Sequence, residues 1–142
     1  LYADPHAAQV VCDAGIPLVF VPLDVTMKSI LTTDMITRYA DPVTLAAVFV
    51  RDCTEQYIEF HRQHRDVDGC FLHDPLAVAV AFQENLVTMA PARVDVETAG
   101  DLTSGMTVSD LRPSAALPPN ARVCMKLDAD AFVTLFSERV LS

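Results

Sequence analysis

The 142-residue sequence lacks the features of a membrane protein or a nucleic-acid-binding protein. Its longest apolar run, Ile16 to Leu23, is too short to cross a bilayer and contains two prolines. No basic-then-apolar leader opens the chain. Lys and Arg number 10 against 19 Asp and Glu, and the resulting net charge of −9 disfavours binding to a phosphate backbone. We therefore expect an acidic, soluble protein with neither a membrane nor a nucleic acid as its partner.

Metal-binding and redox cysteine motifs are also missing. Cys12, Cys53, Cys70 and Cys124 form no C-x-x-C pair, and no histidine stands at zinc-ligand spacing from them. Each lies among apolar residues, which predicts four buried free thiols in a reducing cytosol. The G-x-S-x-G elbow, the G-x-G-x-x-G motif and the P-loop are absent too, which excludes the hydrolases and nucleotide-binding proteins that use them.

The composition nevertheless indicates a folded core, because 51% of the residues are apolar and 20% are charged. Asp4-Pro5 predicts a helix that ends at Asp13, and the apolar run over 16–22 predicts a strand buried on both faces. This succession is typical of the α/β class. The sequence begins at Leu1 within a helix entry and offers few parallel strands. We therefore expect it to be a segment of a longer protein.

The remainder of the chain reads as further helices and a β-hairpin. The predicted elements are a helix from Asp41-Pro42 to Arg65 with a stripe that includes Val50, Tyr57 and Phe60, a helix from Asp74-Pro75 to Phe82 buried on most sides, an antiparallel hairpin of 93–98 and 106–111, a strand over 121–127, and a helix capped by Asp128.

The segment Leu72-His73-Asp74-Pro75 is the leading candidate for chemistry. Asp74 at a helix start meets the positive end of the helix dipole, which keeps a carboxylate ionised and suits either a cap or a hard-metal ligand. His73 can donate or accept a proton near neutral pH. The residue types alone leave open that Asp74 is only a cap and His73 only a loop residue.

Two other segments are candidates for substrate binding. Asp24 and Thr26 follow the predicted buried strand at its carboxyl end, where α/β sheets bind ligands, although capping of the next helix is an alternative. Tyr57, His61 and Arg65 are spaced four apart on one helix face. Their phenol, imidazole and guanidinium groups suit a heterocycle, and a solvated helix end is the alternative.

Four segments resemble, in order and spacing, the motifs of the inosine-uridine preferring nucleoside hydrolase family. The family motifs D-P-E-A-A, V-P-L-D-V-T, L-H-D-P-L-A-V-A and V-D-V-E-T…L-T-x-G-x-T-V-x-D are matched at 3–8, 21–26, 72–79, and 94–98 with 103–112. The resemblance implies the C-terminal part of a Rossmann-like, mostly parallel fold with an antiparallel hairpin, of which residues 1–142 form a single segment. The family's N-terminal Asp-rich loop has no match here, nor has the ribose-binding Asn that would precede Leu1.

The resemblance further implies a calcium-dependent N-ribohydrolase that cleaves ribonucleosides into base and ribose during cytoplasmic nucleoside salvage, as a homodimer or homotetramer. On this reading Asp74 ligates calcium and His73 is the general acid that protonates the departing base. Tyr57, His61 and Arg65 lie on a mobile helix over the base pocket. With a single metal carboxylate, the isolated chain is expected to be inactive.

A non-catalytic structural or dimerisation module derived from the same family is the alternative. The missing Asp-rich loop favours that alternative, whereas the presence of both His73 and Asp74 favours an enzyme. Saturable calcium binding distinguishes the two.

Overall fold

The computed structural model describes residues 1–41 and 43–142, which form two compact units, residues 1–22 with 89–125 and residues 23–88 with 126–142. The helices are α1 (Pro5–Asp13), α2 (Leu23–Thr26), α3 (Thr33–Tyr39), α4 (Leu45–Arg65), α5 (His73–Phe82) and α6 (Ala129–Phe136), with a 3-10 turn at Glu84–Leu86 and a π-helical turn at Ser137–Leu141. The strands are β1 (Val19–Phe20), β2 (Ile30–Thr32), β3 (Gly69–Phe71), β4 (Val87–Val96), β5 (Thr107–Asp110) and β6 (Ala121–Leu127). None of the helices among the described residues is long and apolar enough to cross a membrane.

The first unit begins with α1, whose predicted bounds are confirmed. The Asp4 carboxylate caps the helix by accepting a hydrogen bond from the Ala7 N–H at 2.9 Å, and proline occupies the first turn. A strand lies within the predicted range 16–22, but the prediction that it is buried on both faces is wrong. The structure places a half-exposed two-residue strand there, β1. β1 pairs in parallel with β6 at the edge of its sheet, and an edge position leaves a strand open on its other side.

The sheet of the first unit has the strand order β1-β6-β4-β5. The predicted hairpin is confirmed: β4 and β5 run antiparallel, from Arg93 opposite Asp110 to Val96 opposite Thr107. β4 begins earlier than predicted, at Val87. Apolar residues of β4 and β6, with two from the β1 segment, form the core of this unit: Ala92, Val94, Ala121 and Val123, packed against Leu18 and Phe20.

The longest helix of the second unit is α4, and its predicted end at Arg65 is confirmed. Its N-cap is Thr44, whereas Pro42, part of the predicted start, lies outside the described residues. The buried side chains of α4 are Ala47, Ile58 and His61. The prediction that the apolar stripe of α4 forms its buried face is wrong, because Tyr57 and Phe60 are 40% and 49% exposed. The helix turns its other side toward β3, its main partner in this unit.

The core of the second unit is made by fully buried residues of several elements: Val25, Leu31, Leu76, Leu86, Phe132 and Leu141. The prediction that α5 is buried on most sides is wrong, because the helix contributes only one face to this core. Leu76, Ala79 and Val80 are buried, whereas Val78 and Phe82 remain more than half exposed. A ten-residue helix that packs along one side keeps its opposite side free, however apolar its sequence.

None of the four cysteines, all of which lie within the described residues, forms a disulfide. Cys12, Cys70 and Cys124 are buried, and burial raises the pKa of the Cys70 thiol to about 11. The prediction that all four are buried is wrong for Cys53, which lies on the exposed side of α4.

Candidate active site

The candidate site begins where the antiparallel strands β2 and β3 bring two distant segments together. Leu31 pairs with Cys70 and Thr32 with Gly69. A Cβ atom at Gly69 would lie 2.7 Å from the Leu31 carbonyl oxygen, so this close approach requires glycine. The N–H of Leu72 continues the pairing by donating to the Ser29 carbonyl at 2.9 Å. The residue that follows Leu72 is therefore held beside the end of α2.

That residue is His73, the first of α5. Its Nδ1 lies 2.7 Å from the hydroxyl oxygen of Thr26, the last residue of α2. Thr26 is only 3% exposed. The sequence singled out both residues but did not predict that they touch. A short contact across 47 positions fixes one edge of the imidazole ring and leaves Nε2 for another partner.

Asp74 stands next to His73, in the first turn of α5, and is exposed. Leu72 is the N-cap and no side chain caps this helix, so the interpretation of Asp74 as the cap is wrong. Asp24 is likewise exposed, in the first turn of α2. Within residues 1–41 and 43–142, no group of three or more His, Cys, Asp or Glu side chains is arranged to hold a metal ion. Calcium takes six to eight oxygen ligands, so the carboxylates of Asp24 and Asp74 do not form a calcium site by themselves.

A row of rings connects α4 to His73. The ring of His61 lies edge-on to Tyr57, with centroids 4.2 Å apart, and edge-on to Phe71 at 5.2 Å. Phe71 lies 5.6 Å from the His73 ring. The structure therefore brings two of the predicted substrate-binding residues, Tyr57 and His61, into one row with the candidate acid. His61 is 3% exposed, so it acts as a support inside the row and offers little surface to a ligand.

The sequence profile of the inosine-uridine preferring nucleoside hydrolases matches residues 1–134. The chain belongs to this family. It is 35% identical over 141 residues to the pyrimidine-specific ribonucleoside hydrolase RihA of Salmonella arizonae, and 34% identical to the RihA of an Escherichia coli O7:K1 strain. These alignments cover 99% of the chain and 45% of each relative, so the chain spans less than half the length of these proteins.

Solved structures agree with this assignment. The purine-preferring ribonucleoside hydrolase from Gardnerella vaginalis superposes with a TM-score of 0.85 at 34% identity, covering 96% of this chain and 43% of that one. A plant nucleoside hydrolase, PpNRh1, superposes with a TM-score of 0.91 at 23% identity, covering 99% and 46%, and shows the shared fold. The predicted family and the α/β fold with its hairpin are thus confirmed.

The sequence alone did not reveal two residues of the candidate site, Phe71 and Ser29. Phe71 lies between the rings of His61 and His73, and the sequence marks it only by its place two positions before His73. Ser29 is fully buried, and its hydroxyl donates to the Thr26 carbonyl at 2.7 Å. No motif in the sequence marks Ser29, because its role depends on which segments become neighbours.

Arg65, the third residue predicted to bind substrate, is exposed at the last position of α4, and within the described residues no hydrogen bond, ion pair or ring contact joins it to the ring row. Arg62, one turn earlier, instead secures this end of the helix. Its guanidinium donates to Asp68 at 2.7 Å and to Glu59 at 3.0 Å. The Asp68 carboxylate also accepts from the Thr33 hydroxyl at 2.8 Å. The hydrogen bonds from Thr33 and Arg62 lower the pKa of Asp68, so it stays ionised and keeps this end of α4 close to α3.

Proposed function

We propose that this chain carries the general-acid part of a ribonucleoside N-ribohydrolase active site, and that His73 is that acid. The observation that carries the proposal is the position of His73 at the start of α5, with Nδ1 engaged by Thr26 at 2.7 Å and Asp74 beside it. The family relationship supports the reaction, since the relatives are named ribonucleoside hydrolases.

Hydrolysis of a ribonucleoside is accelerated by a general acid at the base. Hydrolysis of an N-glycosidic bond breaks the bond between C1′ of ribose and a nitrogen of the base, and a water oxygen forms the new bond to C1′. The transition state resembles an oxocarbenium ion, and the electron pair of the broken bond goes to the base. In its imidazolium form, His73 would transfer the proton on Nε2 to that base as the base departs and would be left as a neutral imidazole, so that the base leaves neutral and not as an anion. The proton lost by water goes to a general base, which we place outside these 142 residues.

Asp74 would contribute one oxygen ligand to a calcium ion that holds the ribose hydroxyls and the attacking water in the complete enzyme. The other ligands would come from outside this chain, since no cluster of three or more His, Cys, Asp or Glu side chains lies among the described residues. We propose accordingly that the chain alone neither binds calcium tightly nor hydrolyses nucleosides. Cytoplasmic nucleoside salvage as a homodimer or homotetramer belongs to the same proposal.

The test is the replacement of His73 by alanine in the intact enzyme, assayed for ribose release from inosine and uridine and, in parallel, on a nitrophenyl riboside. A positioned acid contributes about 10²- to 10⁴-fold, so kcat on the natural nucleosides should fall by that order. The nitrophenyl riboside, whose leaving group needs no proton, should be cleaved at close to the normal rate. His6→Ala, an exposed histidine of α1, is the matched control. Equal losses on both classes of substrate would contradict the role of His73.

The alternative, a non-catalytic module, is tested by calcium titration of the intact protein. Saturable calcium binding that weakens in Asp74→Asn supports the proposal that the protein is an enzyme. Absence of saturable binding would favour the module.

A further inference from the structure

The contact with Thr26 holds one atom of His73 and does not fix the plane of its ring. Nδ1 lies 2.7 Å from the Thr26 hydroxyl oxygen. The imidazole can still turn about this contact, because the χ2 torsion of a histidine is broad and only roughly two-fold. Transfer of a proton to a substrate atom depends on the direction of the donor as well as on its distance. The proposed role of His73 therefore requires a second contact that sets the plane of the ring.

Phe71 provides a contact of this kind. Its ring centroid lies 5.6 Å from that of His73, and the two ring planes are inclined by 32°. This spacing is that of a favourable aromatic pair, which stabilises its geometry beyond the effect of the buried area alone. Within the described residues it is the one ring contact that His73 makes. The flat ring of Phe71 thus limits the rotation of the imidazole about its bond to Thr26.

The position of Phe71 is itself constrained. It is the last residue of β3, where it pairs with Ile30 of β2, and it is only 8% exposed. The buried ring of His61 lies edge-on to it, with centroids 5.2 Å apart and planes at 74°. Nδ1 of His61 lies 2.8 Å from the Tyr57 carbonyl oxygen, which fastens that ring to α4. Phe71 therefore cannot turn away from His73 without displacing a buried neighbour.

A second stack of phenylalanine on histidine in the described structure lacks these constraints. The rings of Phe60 and His64 lie 4.5 Å apart with planes at 22°. Phe60 is 49% exposed and His64 is exposed, so both rings are free to move into solvent. A stacked pair alone does not indicate a positioning role. The burial of Phe71 and its contacts with two histidine rings distinguish it.

We infer that Phe71 is a positioning residue of the active site, which sets the plane of the His73 ring so that Nε2 is directed at the departing base. Thr26 acts on an edge of the imidazole, and Phe71 acts on its plane. The inference rests on the proposed general-acid role of His73. It assigns Phe71 no contact with substrate.

The orientation of the ring is measured in the intact protein by NMR, with ¹³C-labelled histidine and phenylalanine side chains in a deuterated background. We expect nuclear Overhauser cross-peaks from the Phe71 ring protons to the rings of both His73 and His61, with His73→Gln to assign the signals. In Phe71→Leu the His73 ring protons should move toward the chemical shifts of exposed His6, because the ring current of Phe71 is lost. Absence of a cross-peak between Phe71 and His73 in the wild type would overturn the inference without any variant.

Kinetics give the second measurement. Phe71→Leu should lower kcat on inosine about two- to tenfold, the factor that an aromatic pair contributes beyond buried area. KM should stay nearly unchanged, and the nitrophenyl riboside, whose leaving group needs no proton, should be cleaved at close to the normal rate, which also shows that the variant is folded. Phe71→Tyr keeps the ring and should retain most of kcat. Phe82→Leu is the matched control, because Phe82 lies on the same helix as His73 and is 67% exposed.

The two proposals fail in different ways. Equal losses on inosine and on the nitrophenyl riboside in Phe71→Leu would show that Phe71 supports the fold and does not position His73. Full kcat on inosine in the same variant would also overturn the inference. If His73→Ala leaves hydrolysis of inosine intact, the general-acid proposal fails, and the spectra still decide whether Phe71 holds the ring.

Discussion

Asn120 should contribute more to stability than its exposed, proline-rich loop suggests. Its side-chain amide pairs with both backbone groups of Val94, accepting from the N–H at 2.7 Å and donating to the C=O at 2.9 Å. It also donates to the Cys12 carbonyl at 3.1 Å. Asn120 stands immediately before β6, and its amide therefore extends the pairing of β4 by one peptide-like unit. Val94 is 1% exposed, so water has little access to replace these bonds.

The magnitude of the effect follows from these contacts. Asn120→Ala leaves the N–H and C=O of Val94 without partners, and each buried polar group left unpaired costs about 1–3 kcal/mol. Asn120 itself is only partly buried, and some water will enter the space. We therefore expect a loss of about 2–4 kcal/mol in the free energy of unfolding, out of the roughly 5–15 kcal/mol typical of a domain. In Asn120→Asp one oxygen can still accept from Val94, but the other faces two carbonyl oxygens, so the loss at pH 7 should be at least as large.

Urea unfolding followed by circular dichroism measures this loss, and hydrogen exchange at the Val94 amide localises it. Asn85→Ala is the control, because Asn85, the other asparagine of the chain, is exposed in the 3-10 turn. Protection of the Val94 amide should fall in Asn120→Ala and stay normal in Asn85→Ala. If Asn120→Ala costs less than about 1 kcal/mol, or if Asn120→Asp is as stable as wild type, the reasoning from unpaired backbone groups is refuted.

Two further predictions follow from the ionisable groups. Exposed Cys53 should react with iodoacetamide at neutral pH well before Cys70, whose pKa burial raises to about 11; mass spectrometry of digested protein measures the order, and faster labelling of Cys70 would contradict its burial. The Asp110 carboxylate should titrate at about 2, below its ordinary 3.8, because the Arg112 side chain and backbone N–H donate to it. A carboxyl whose pKa falls on folding stabilises the fold above its unfolded pKa, and that contribution disappears as pH drops toward 2. Arg112→Met should return the NMR titration midpoint toward 3.8, and an unchanged midpoint would show that the ion pair is not its cause.

Features that depend on a few adjacent residues were predicted correctly from the sequence. Asp4 and Asp128 cap α1 and α6 through hydrogen bonds to the N–H three positions ahead, and that spacing is visible in the sequence itself. The strand over 121–127 has the predicted bounds for a similar reason, because an Asn and an Asp flank it.

Features that depend on distant partners were predicted poorly. The apolar residues of 16–22 looked like a buried strand, but burial requires neighbours on both sides, and β1 has one, β6, in its sheet. The stripe of α4 failed for a related reason. Tyr57 and Phe60 are more hydrophobic than His61, yet His61 is the ring that lies against Phe71. Periodicity gives the spacing of residues along a helix, and the packing partner decides which side is buried.

The candidate site combines both kinds of information. The motif at 72–79 singles out His73 and Asp74 because the two residues are adjacent in the sequence. Thr26 belongs to another motif, 47 positions from His73, and the two side chains come into contact only because β2 pairs with β3. Gly69 has no place in either motif, yet it permits that pairing, because any side chain there would meet the Leu31 carbonyl. A motif can thus identify a candidate side chain, while the residues that hold that side chain in place are found only in the folded structure.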